Sequence, residues 1–418
     1  MKPVRAVAGK SESPAGGRTI IALLFFAAAI NYIDRGSLSV AAPALAAQLK
    51  LDPVQMGVLL SAFFWTYAGF QSFAGWLTDR FPVTWVFGLG FAVWSAATLG
   101  SGFAIGVASL FAFRLVLGAA ESVAFPCYSK VIAAGFPVES RGVPNSLIEA
   151  GTKLGPAIGT LIGAVIVAHY GWRVLFWALG GFSLIWLIPW ILWAPRQPRS
   201  SSPVARRNGV SMGQIIARRD AWGTFIGNAC YTYAYYFLLT WLPSYLVQER
   251  HLSMEMMGVL GSVPYWAAAG AAVVSGWISD AWIRSGATPT RVRKTFVATG
   301  LLLSTVMVPA ALVSDLSLSI ALLCLGYVAF GIFASNHWAI TQTLAGTSAA
   351  GTWTGIQNTL GSLSGIVAPI VTGFIVSRTG SFFWAFVSPA LLAVVGACSY
   401  LFLVGRVAPI AWRKQEAS

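Results

Sequence analysis

Twelve apolar stretches of about 20 residues or more dominate this chain, and they constrain its fold more than any other feature. The hydrocarbon core of a bilayer is about 30 Å thick, so a helix needs roughly 20 apolar residues to cross it. Hydrophobic residues occupy 57% of the 418 positions and charged residues only 10%. The sequence therefore predicts an all-α membrane protein with twelve transmembrane helices. The predicted helices lie near residues 18–42, 54–79, 83–104, 106–135, 142–168, 172–194, 221–247, 255–283, 295–313, 316–345, 352–377 and 381–405.

Positive charge is concentrated beside the predicted helices rather than within them. The chain has 27 Lys and Arg against 13 Asp and Glu, which gives a net charge of +14. Seventeen of the 27 lie in residues 1–18, 195–219, 284–294 and 406–418. Cationic loops of this kind mark the cytoplasmic side under the positive-inside rule. We therefore expect a protein of the inner (plasma) membrane with both termini in the cytoplasm. The positive charge is explained by this topology and does not indicate nucleic-acid binding.

A polar stretch rich in Pro, Ser and Arg, PRQPRSSSPVARRNGVSMGQ, divides the predicted helices six and six. A short repeat supports this division, because GWLTD at 75–79 recurs as GWISD at 276–280, 201 positions later. Two six-helix halves of similar design are the expected organisation. The predicted parts are a cytoplasmic tail (1–17), an N-terminal bundle (18–194), a basic linker (195–220), a C-terminal bundle (221–405) and a second tail (406–418).

Sequence motifs for enzymatic chemistry are absent. The chain has no P-loop, no HExxH and no Gly-rich dinucleotide turn after a strand. Its four cysteines occur singly within apolar stretches, which argues against a disulfide framework or a metal site. We therefore expect no enzyme, no metal and no cofactor.

The sequence GWLTDR at 75–80 lies between the second and third predicted helices and resembles the signature loop of the major facilitator superfamily. Together with twelve helices and a basic central linker, this resemblance covers essentially the whole chain and implies two six-helix bundles. It also implies a conformational role for Gly75, Asp79, Arg80 and, in the second copy, Asp280. For Asp79 and Arg80, a solvated helix terminus is the alternative interpretation.

Three further motifs resemble the anion:cation symporters of that superfamily, a group that contains bacterial galactonate and hexuronate transporters, sialin and vesicular glutamate transporters. The motifs are NYIDR at 31–35, RLVLGAAE at 114–121 and YFLLTWLPSYL at 236–246. In that group an Asp of helix one and a Glu of helix four take part in proton coupling, and Arg residues of the same helices recognise the anion. The resemblance implies coupling roles for Asp34 and Glu121, and anion recognition by Arg35 and Arg114.

Physical arguments also single out these four charges, because each costs on the order of 2.5–3.5 kcal/mol at the centre of a bilayer. Arg114 and Glu121 are two helical turns apart and share one helix face. Asp34 and Arg35 point about 100° apart, so each must find partners on other helices. An anion that pairs with an Arg would favour protonation of a carboxylate, which suggests symport with a proton. A static network that only holds the helices together is the alternative.

The fifth predicted helix carries a second charged pair, Glu149 and Lys153. Glu four residues before Lys is the favourable order for a helical ion pair, so a structural bridge is one interpretation. The other makes Lys153 a third cation that faces the substrate beside Thr152, and that shifts preference towards a dicarboxylate or another acidic group.

The second half has almost no charge within its predicted helices, so its contribution to a binding site should be neutral. Tyr231 and Tyr235 lie too deep in helix seven for an interfacial belt, and their hydroxyls are candidates for substrate contacts. Tyr32 and Asn358 are further candidates, whereas packing with a locally satisfied hydroxyl is the alternative for any single Tyr. For the isolated His337 we expect a hydrogen-bonded core residue.

We therefore expect a secondary transporter, functional as a monomer, that imports a small organic anion with protons by alternating access. A sugar acid or another carboxylate is the expected substrate. An anion antiporter or exporter without net proton coupling is the first alternative. A membrane sensor that binds ligand without transport is the second.

Overall fold

The computed structural model describes residues 16–136, 142–194 and 210–412, and these residues are helical with no strand among them. Nine of their helices are long and apolar enough to cross a membrane by length and composition. One of the nine, Pro144–Trp193, contains two crossings, because Gly171 interrupts it with φ +82°. Pro53–Arg80 and Arg219–Ser244 are long helices of lower mean hydropathy. The described residues thus form twelve long helical segments, in agreement with the predicted all-α membrane fold.

We number these segments α1 to α12. In the first half they are α1 (Gly17–Leu49), α2 (Pro53–Arg80), α3 (Val83–Ser101), α4 (Val107–Glu121, continued by Ala124–Gly135), and α5 and α6, the parts of Gly142–Trp193 before and after Gly171. In the second half they are α7 (Arg219–Ser244, continued by the π-helical Tyr245–Glu249), α8 (Met254–Arg284), α9 (Pro289–Ser304, continued by Met307–Leu312), α10 and α11, the parts of Leu316–Thr379 before and after Gly346, and α12 (Phe383–Cys398, continued by the π-helical Ser399–Leu403). A short helix, Met212–Ile216, precedes α7.

Local chemistry explains where several helices begin and end. Asp52 starts α2 with a capping box, because its carboxylate accepts from the Gln55 backbone N–H at 2.8 Å and Gln55 Oε1 accepts from the Asp52 N–H. The left-handed φ values of Gly171 and Gly346 are readily adopted only by glycine, and they separate α5 from α6 and α10 from α11.

The limits of the first and fourth helices differ from the prediction, and the ninth begins at Pro289 rather than at residue 295. The first helix was expected to end near residue 42, but α1 continues to Leu49, since its last turns are rich in alanine, the residue with the highest helix propensity. The fourth was expected to be continuous over 106–135, but α4 is interrupted directly after Glu121. Pro126 has no N–H to donate to the carbonyl of Ser122, four residues earlier, which weakens the helix at this point.

Helix α1 packs closely on α5 within the first half. A Cβ atom added to Gly155 would lie 2.5 Å from the Ala29 carbonyl oxygen and 2.9 Å from Tyr32 Cβ. Glycine therefore allows the two backbones to approach, as is common between membrane helices. This packing fixes the α5 side chains relative to the charged turn of α1. The six-and-six division itself remains a prediction, because residues 195–209 of the linker are outside the described ranges.

The two halves meet tightly at one face of the molecule, which we call the closed face. Here α2 begins and α11 ends, and a Cβ added to Gly57 would lie 2.5 Å from the Pro369 carbonyl oxygen. On the other side of the interface, a Cβ added to Gly258 of α8 would lie 2.5 Å from Ala164 Cβ of α5. The two halves thus contact each other on both sides of the interface at this face.

At the opposite face, which we call the open face, the same helices separate. Gly351, Gly355 and Asn358 of α11 are exposed, and Cβ atoms added to the two glycines would meet nothing within 4 Å. Asn358 lies two turns before Gly365, which contacts Phe64 of α2, so both residues are on the face of α11 directed at the first half. A gap between the halves therefore opens towards the face at which α1 begins.

Candidate substrate site between the two halves

Arg35 and Glu121 form a buried ion pair between α1 and α4. The distance from Arg35 Nη2 to Glu121 Oε2 is 3.0 Å, and the two side chains are 3% and 0% exposed. Arg35 Nη2 also donates to Asn31 Oδ1 at 3.3 Å, one helical turn earlier. The positive charge of Arg35 is thus balanced by a carboxylate on another helix, as the sequence required.

Three aromatic rings surround the Arg35 guanidinium. Its central carbon lies 4.5–4.7 Å from their centroids, close enough for cation–π attraction. The rings are those of Tyr32, Phe63 and Tyr67. The two α2 rings were missed by sequence reasoning, although their spacing of four residues places them on one helix face. This aromatic cage orients the guanidinium towards Glu121.

The Arg114 guanidinium packs against helix α1 and does not take part in the Arg35–Glu121 ion pair. Its Nη1 donates to the Asp34 carbonyl oxygen at 3.2 Å and its Nη2 to Ser37 Oγ at 2.9 Å. The residue is 1% exposed and its guanidinium lies over the Phe176 ring at 5.4 Å. In this conformation Arg114 therefore contacts helix α1 and not the gap, and its predicted contact with the anion remains a prediction.

Asp34 is completely buried between α1, α4 and α6. Its Oδ2 accepts from Ser183 Oγ at 3.3 Å, a contact that the sequence did not indicate. Glu121 and Arg114 both lie within electrostatic range of the Asp34 carboxylate. The structure thus brings the four predicted charges into one cluster, but with a single direct ion pair among them.

The charged cluster is only partly satisfied by hydrogen bonds. Among the described residues, one carboxylate oxygen of each acid and the Nε of each Arg have no hydrogen-bond partner. These atoms are Asp34 Oδ1, Glu121 Oε1, Arg35 Nε and Arg114 Nε. Buried polar groups are nearly always paired, and exceptions need an explanation such as a functional role. A carboxylate oxygen without a hydrogen-bond partner is able to accept a proton, so Asp34 and Glu121 suit a role in which a group gains and loses a proton.

Lys153 extends from α5 towards the second half. Its Nζ lies 3.2 Å from Glu149 Oε1 and 5.3 Å from the centroid of the Tyr235 ring on α7. Lys153 is 19% exposed and Glu149 is 52% exposed. Both earlier interpretations are therefore compatible with the structure, since Lys153 forms the helical ion pair and also faces the other half. Thr152 is 1% exposed and donates to the Glu149 carbonyl oxygen, so it does not face the gap.

An aromatic wall lines the second half opposite Lys153. Tyr231 stacks on Phe333 at 4.4 Å and lies 6.2 Å from Tyr235 in a parallel arrangement. His337 packs against both rings, 4.7 Å from Phe333 and 5.8 Å from Tyr231, and its Nδ1 is 3.0 Å from the Ala334 carbonyl oxygen. His337 is thus buried and hydrogen-bonded to its own helix, as expected.

Neighbouring amides of α11 have different surroundings. Gln357 is buried, and its Oε1 accepts from Thr341 Oγ1 at 2.8 Å while its carbonyl oxygen accepts from Asn228 Nδ2 at 3.2 Å. Asn358 is exposed on the side of the gap. Of these amides, Asn358 is the one that a substrate could reach from the open face.

A family model described as Major Facilitator Superfamily matches residues 24–369, which is most of the chain. The chain belongs to this superfamily. Its relatives include the probable galactarate/D-glucarate transporter GudP of Escherichia coli strain K12, 34% identical over 93% of each chain. Another is the D-galactonate transporter of Escherichia coli O6:H1, 30% identical over 93% of this chain and 95% of the relative.

Solved structures show the same fold. A bacterial homologue of the human lysosomal transporter Spinster, in an inward-facing and occupied conformation, superimposes with a TM-score of 0.79 at 17% identity. The superposition covers 92% of this chain and 96% of that chain. The sequence prediction of a major facilitator fold is therefore confirmed, and the protein is a membrane transporter rather than an enzyme.

The superfamily signature loop is described in part. A Cβ atom added to Gly75 would meet nothing within 4 Å. Arg80 is exposed, and its guanidinium lies 5.7 Å from the Trp76 ring. The side chain of Asp79 lies outside the described part of the structure. In the second copy, Asp280 Oδ1 accepts from Arg293 Nη2 at 2.7 Å, which ties α8 to α9. Conformational roles for these residues remain predictions.

Proposed function

We propose that this protein imports a small organic anion, a sugar acid or a related carboxylate, together with protons across a bacterial inner membrane. The observation that carries the proposal is the buried Arg35–Glu121 ion pair inside an aromatic cage. The pair lies on the two helices whose motifs resemble those of anion:cation symporters. The proposal includes function as a monomer.

Coupling follows from competition for Arg35. A substrate carboxylate that pairs with Arg35 takes the place of Glu121, and an unpaired carboxylate in a buried site is strongly unfavourable. Protonation removes that charge, and Glu121 Oε1 and Asp34 Oδ1 are open to accept a proton. Anion binding and protonation thus favour each other, which is the thermodynamic requirement for symport.

The neutral second half provides groups suited to a polyhydroxylated anion. Tyr235 Oη has no hydrogen-bond partner among the described residues and belongs to α7, which packs against α1. The Asn358 amide is exposed on α11, which packs against α2. The relatives named above are a probable galactarate/D-glucarate transporter and a D-galactonate transporter, and all three of these acids carry several hydroxyl groups. We therefore favour a sugar acid over an apolar carboxylate.

The closed and open faces correspond to one end state of an alternating-access cycle. With both termini in the cytoplasm, as the positive-inside rule predicts, the open face is cytoplasmic and this is the inward-open state. In that state the substrate and its protons are released into the cell. The outward-open state requires the Gly57 and Gly258 contacts to separate.

Purified protein in liposomes tests the proposal. Under an inward-directed proton gradient, labelled galactonate or galactarate should accumulate above equilibrium, and a protonophore should abolish the accumulation. At equal pH on both sides, uptake that requires a trans anion would identify an antiporter instead. Binding without any flux would identify a sensor. Either of these results would overturn the proposal.

A further inference from the structure

A second cation–carboxylate pair accompanies the coupling pair on the same half of the transporter. Arg35 is paired with Glu121, and Lys153 with Glu149, so each cation that could meet a substrate already has an internal carboxylate. The coupling mechanism uses the first pair only. An ion pair between residues four apart on a solvated helix contributes little to stability, too little to explain a Lys in a transmembrane helix.

The position of Lys153 in the interface supports a role towards a ligand. Thr160 and Ala164 are seven and eleven residues after Lys153, and they contact Gly258 and Gly261 of α8 at the closed face. Residues at these spacings share one helix face, so Lys153 is directed at the second half, about 10 Å from this contact along α5. At this level Lys153 is 19% exposed.

The residue opposite Lys153 has an unused polar group. Tyr235 is 8% exposed, and its Oη has no hydrogen-bond partner among the described residues. Its ring lies 5.3 Å from Lys153 Nζ, and Tyr32 of the Arg35 cage is also within electrostatic range of Lys153. The Lys153 ammonium group of the first half thus lies over the ring of Tyr235 in the second half, and Tyr32 is within electrostatic range of both Lys153 and Arg35.

We propose that Lys153 and Tyr235 form a second anion subsite, which binds the distal acidic group of a substrate whose first carboxylate is bound by Arg35. Glu149 is the resident counter-ion of this subsite, and its exposure allows it to move away when the distal carboxylate arrives. The substrate is then a dicarboxylate, or an acid with another second anionic group. This inference rests on the proposed function, because it assumes the Arg35 site.

Galactarate and galactonate form a matched pair of probes. They share the arrangement of their hydroxyl groups and differ at C6, where galactarate has a carboxylate and galactonate has a hydroxymethyl group. Their affinity ratio for the purified protein, measured by ligand-induced thermal shift or competition binding, therefore isolates the distal group. The wild type should bind galactarate more tightly.

Lys153→Met should weaken galactarate binding at least 10-fold and change galactonate binding less than 3-fold, whereas Lys153→Arg should keep the wild-type ratio. Glu149→Gln should strengthen galactarate binding several-fold, since it removes the internal competitor. A static ion pair predicts instead an unchanged ratio in all three variants. That result, or an equal loss of both ligands in Lys153→Met, would overturn the subsite.

The two proposals fail in different ways. If the wild type binds and accumulates galactonate with protons but the ratio is insensitive to Lys153 and Glu149, only the subsite is wrong. If the wild type neither binds nor transports either acid, the proposed function is wrong and the subsite with it. Glu149→Gln keeps the subsite testable if Lys153→Met does not fold, because its expected effect has the opposite sign.

Discussion

Glu121 holds the guanidinium of Arg35 from a position 86 residues later in the chain, with 3.0 Å between Oε2 and Nη2. Removing one partner of a buried ion pair typically costs about 3–5 kcal/mol, because the other charge is left without compensation. A substrate carboxylate that replaces Glu121 keeps Arg35 paired, and protonation of Glu121 removes the charge that would otherwise be left without a partner. The pair is therefore stable in the empty transporter and still available to an entering anion.

Replacement of Glu121 by Gln should uncouple transport from the proton gradient. Gln can still accept a hydrogen bond from Arg35 but cannot gain or lose a proton. We expect gradient-driven accumulation in liposomes to fall to the equilibrium level, while exchange of labelled for unlabelled substrate continues. Glu249→Gln is a suitable control, since Glu249 lies at the closed face and accepts from Ser381. Gradient-driven accumulation by Glu121→Gln would contradict the assignment.

The two arginines should respond differently to replacement by Lys. Arg35→Lys keeps the charge but loses the planar group that fits the aromatic cage, so substrate affinity should fall about 10-fold or more. Arg114→Lys loses the two donors to Asp34 and Ser37, and we expect a lower melting temperature with a retained ligand-induced shift. A thermal-shift titration separates the two effects. Loss of ligand response in Arg114→Lys, with the melting temperature unchanged, would instead favour a direct anion contact.

The adjacent amides of α11 provide a second matched comparison. Asn358→Ala should reduce affinity for a hydroxylated acid by about 5- to 10-fold, the effect of losing one hydrogen bond, without a change in stability. Gln357→Ala should lower the melting temperature instead, because it leaves Thr341 without its acceptor inside the core. If both variants bind normally, α11 does not contribute to recognition.

A larger residue at Gly57 should disfavour the conformation described above. In Gly57→Val the new side chain would collide with the Pro369 carbonyl oxygen, and only separation of α2 and α11 relieves the contact. His169 Nε2 and Glu255 Oε1 lie 3.8 Å apart across the closed face, so a short bifunctional thiol reagent should crosslink cysteines placed at these positions in the parent protein.

In the Gly57→Val variant the crosslinking rate should fall several-fold. Gly181→Val serves as the control, because a Cβ at Gly181 meets nothing within 4 Å. Equal crosslinking rates in the parent and Gly57→Val would show that the contact does not limit opening of this face.

Hydropathy and charge were sufficient to predict the fold class and to single out the charged residues of α1 and α4. Length sets a strong physical limit on membrane helices, and charge within them is costly enough to stand out. The ion pair between Arg35 and Glu121 could not be predicted from hydropathy and charge. Arg114 shares a helix face with Glu121, yet its long side chain reaches the backbone of α1, and only the packed structure decides that direction.

The aromatic cage and the amides show a second limit of sequence reasoning. Phe63 and Tyr67 are ordinary residues for a transmembrane helix, and nothing in their spacing distinguishes a cage from packing. Gln357 and Asn358 point about 100° apart, so a small error in helix rotation exchanges the buried residue for the exposed one. Rotation of each helix depends on contacts between distant parts of the chain, such as Asn228 with Gln357.

The proposed coupling charges lie on α1 and α4, whereas the aromatic wall and Asn358 belong to α7, α10 and α11. Evolution can therefore alter the residues that bind the hydroxyl groups of the substrate without changing those that bind and release the proton. The same separation offers an engineering route: variation confined to positions such as Tyr231 and Asn358 should yield transporters with new substrate ranges that still run on the proton gradient.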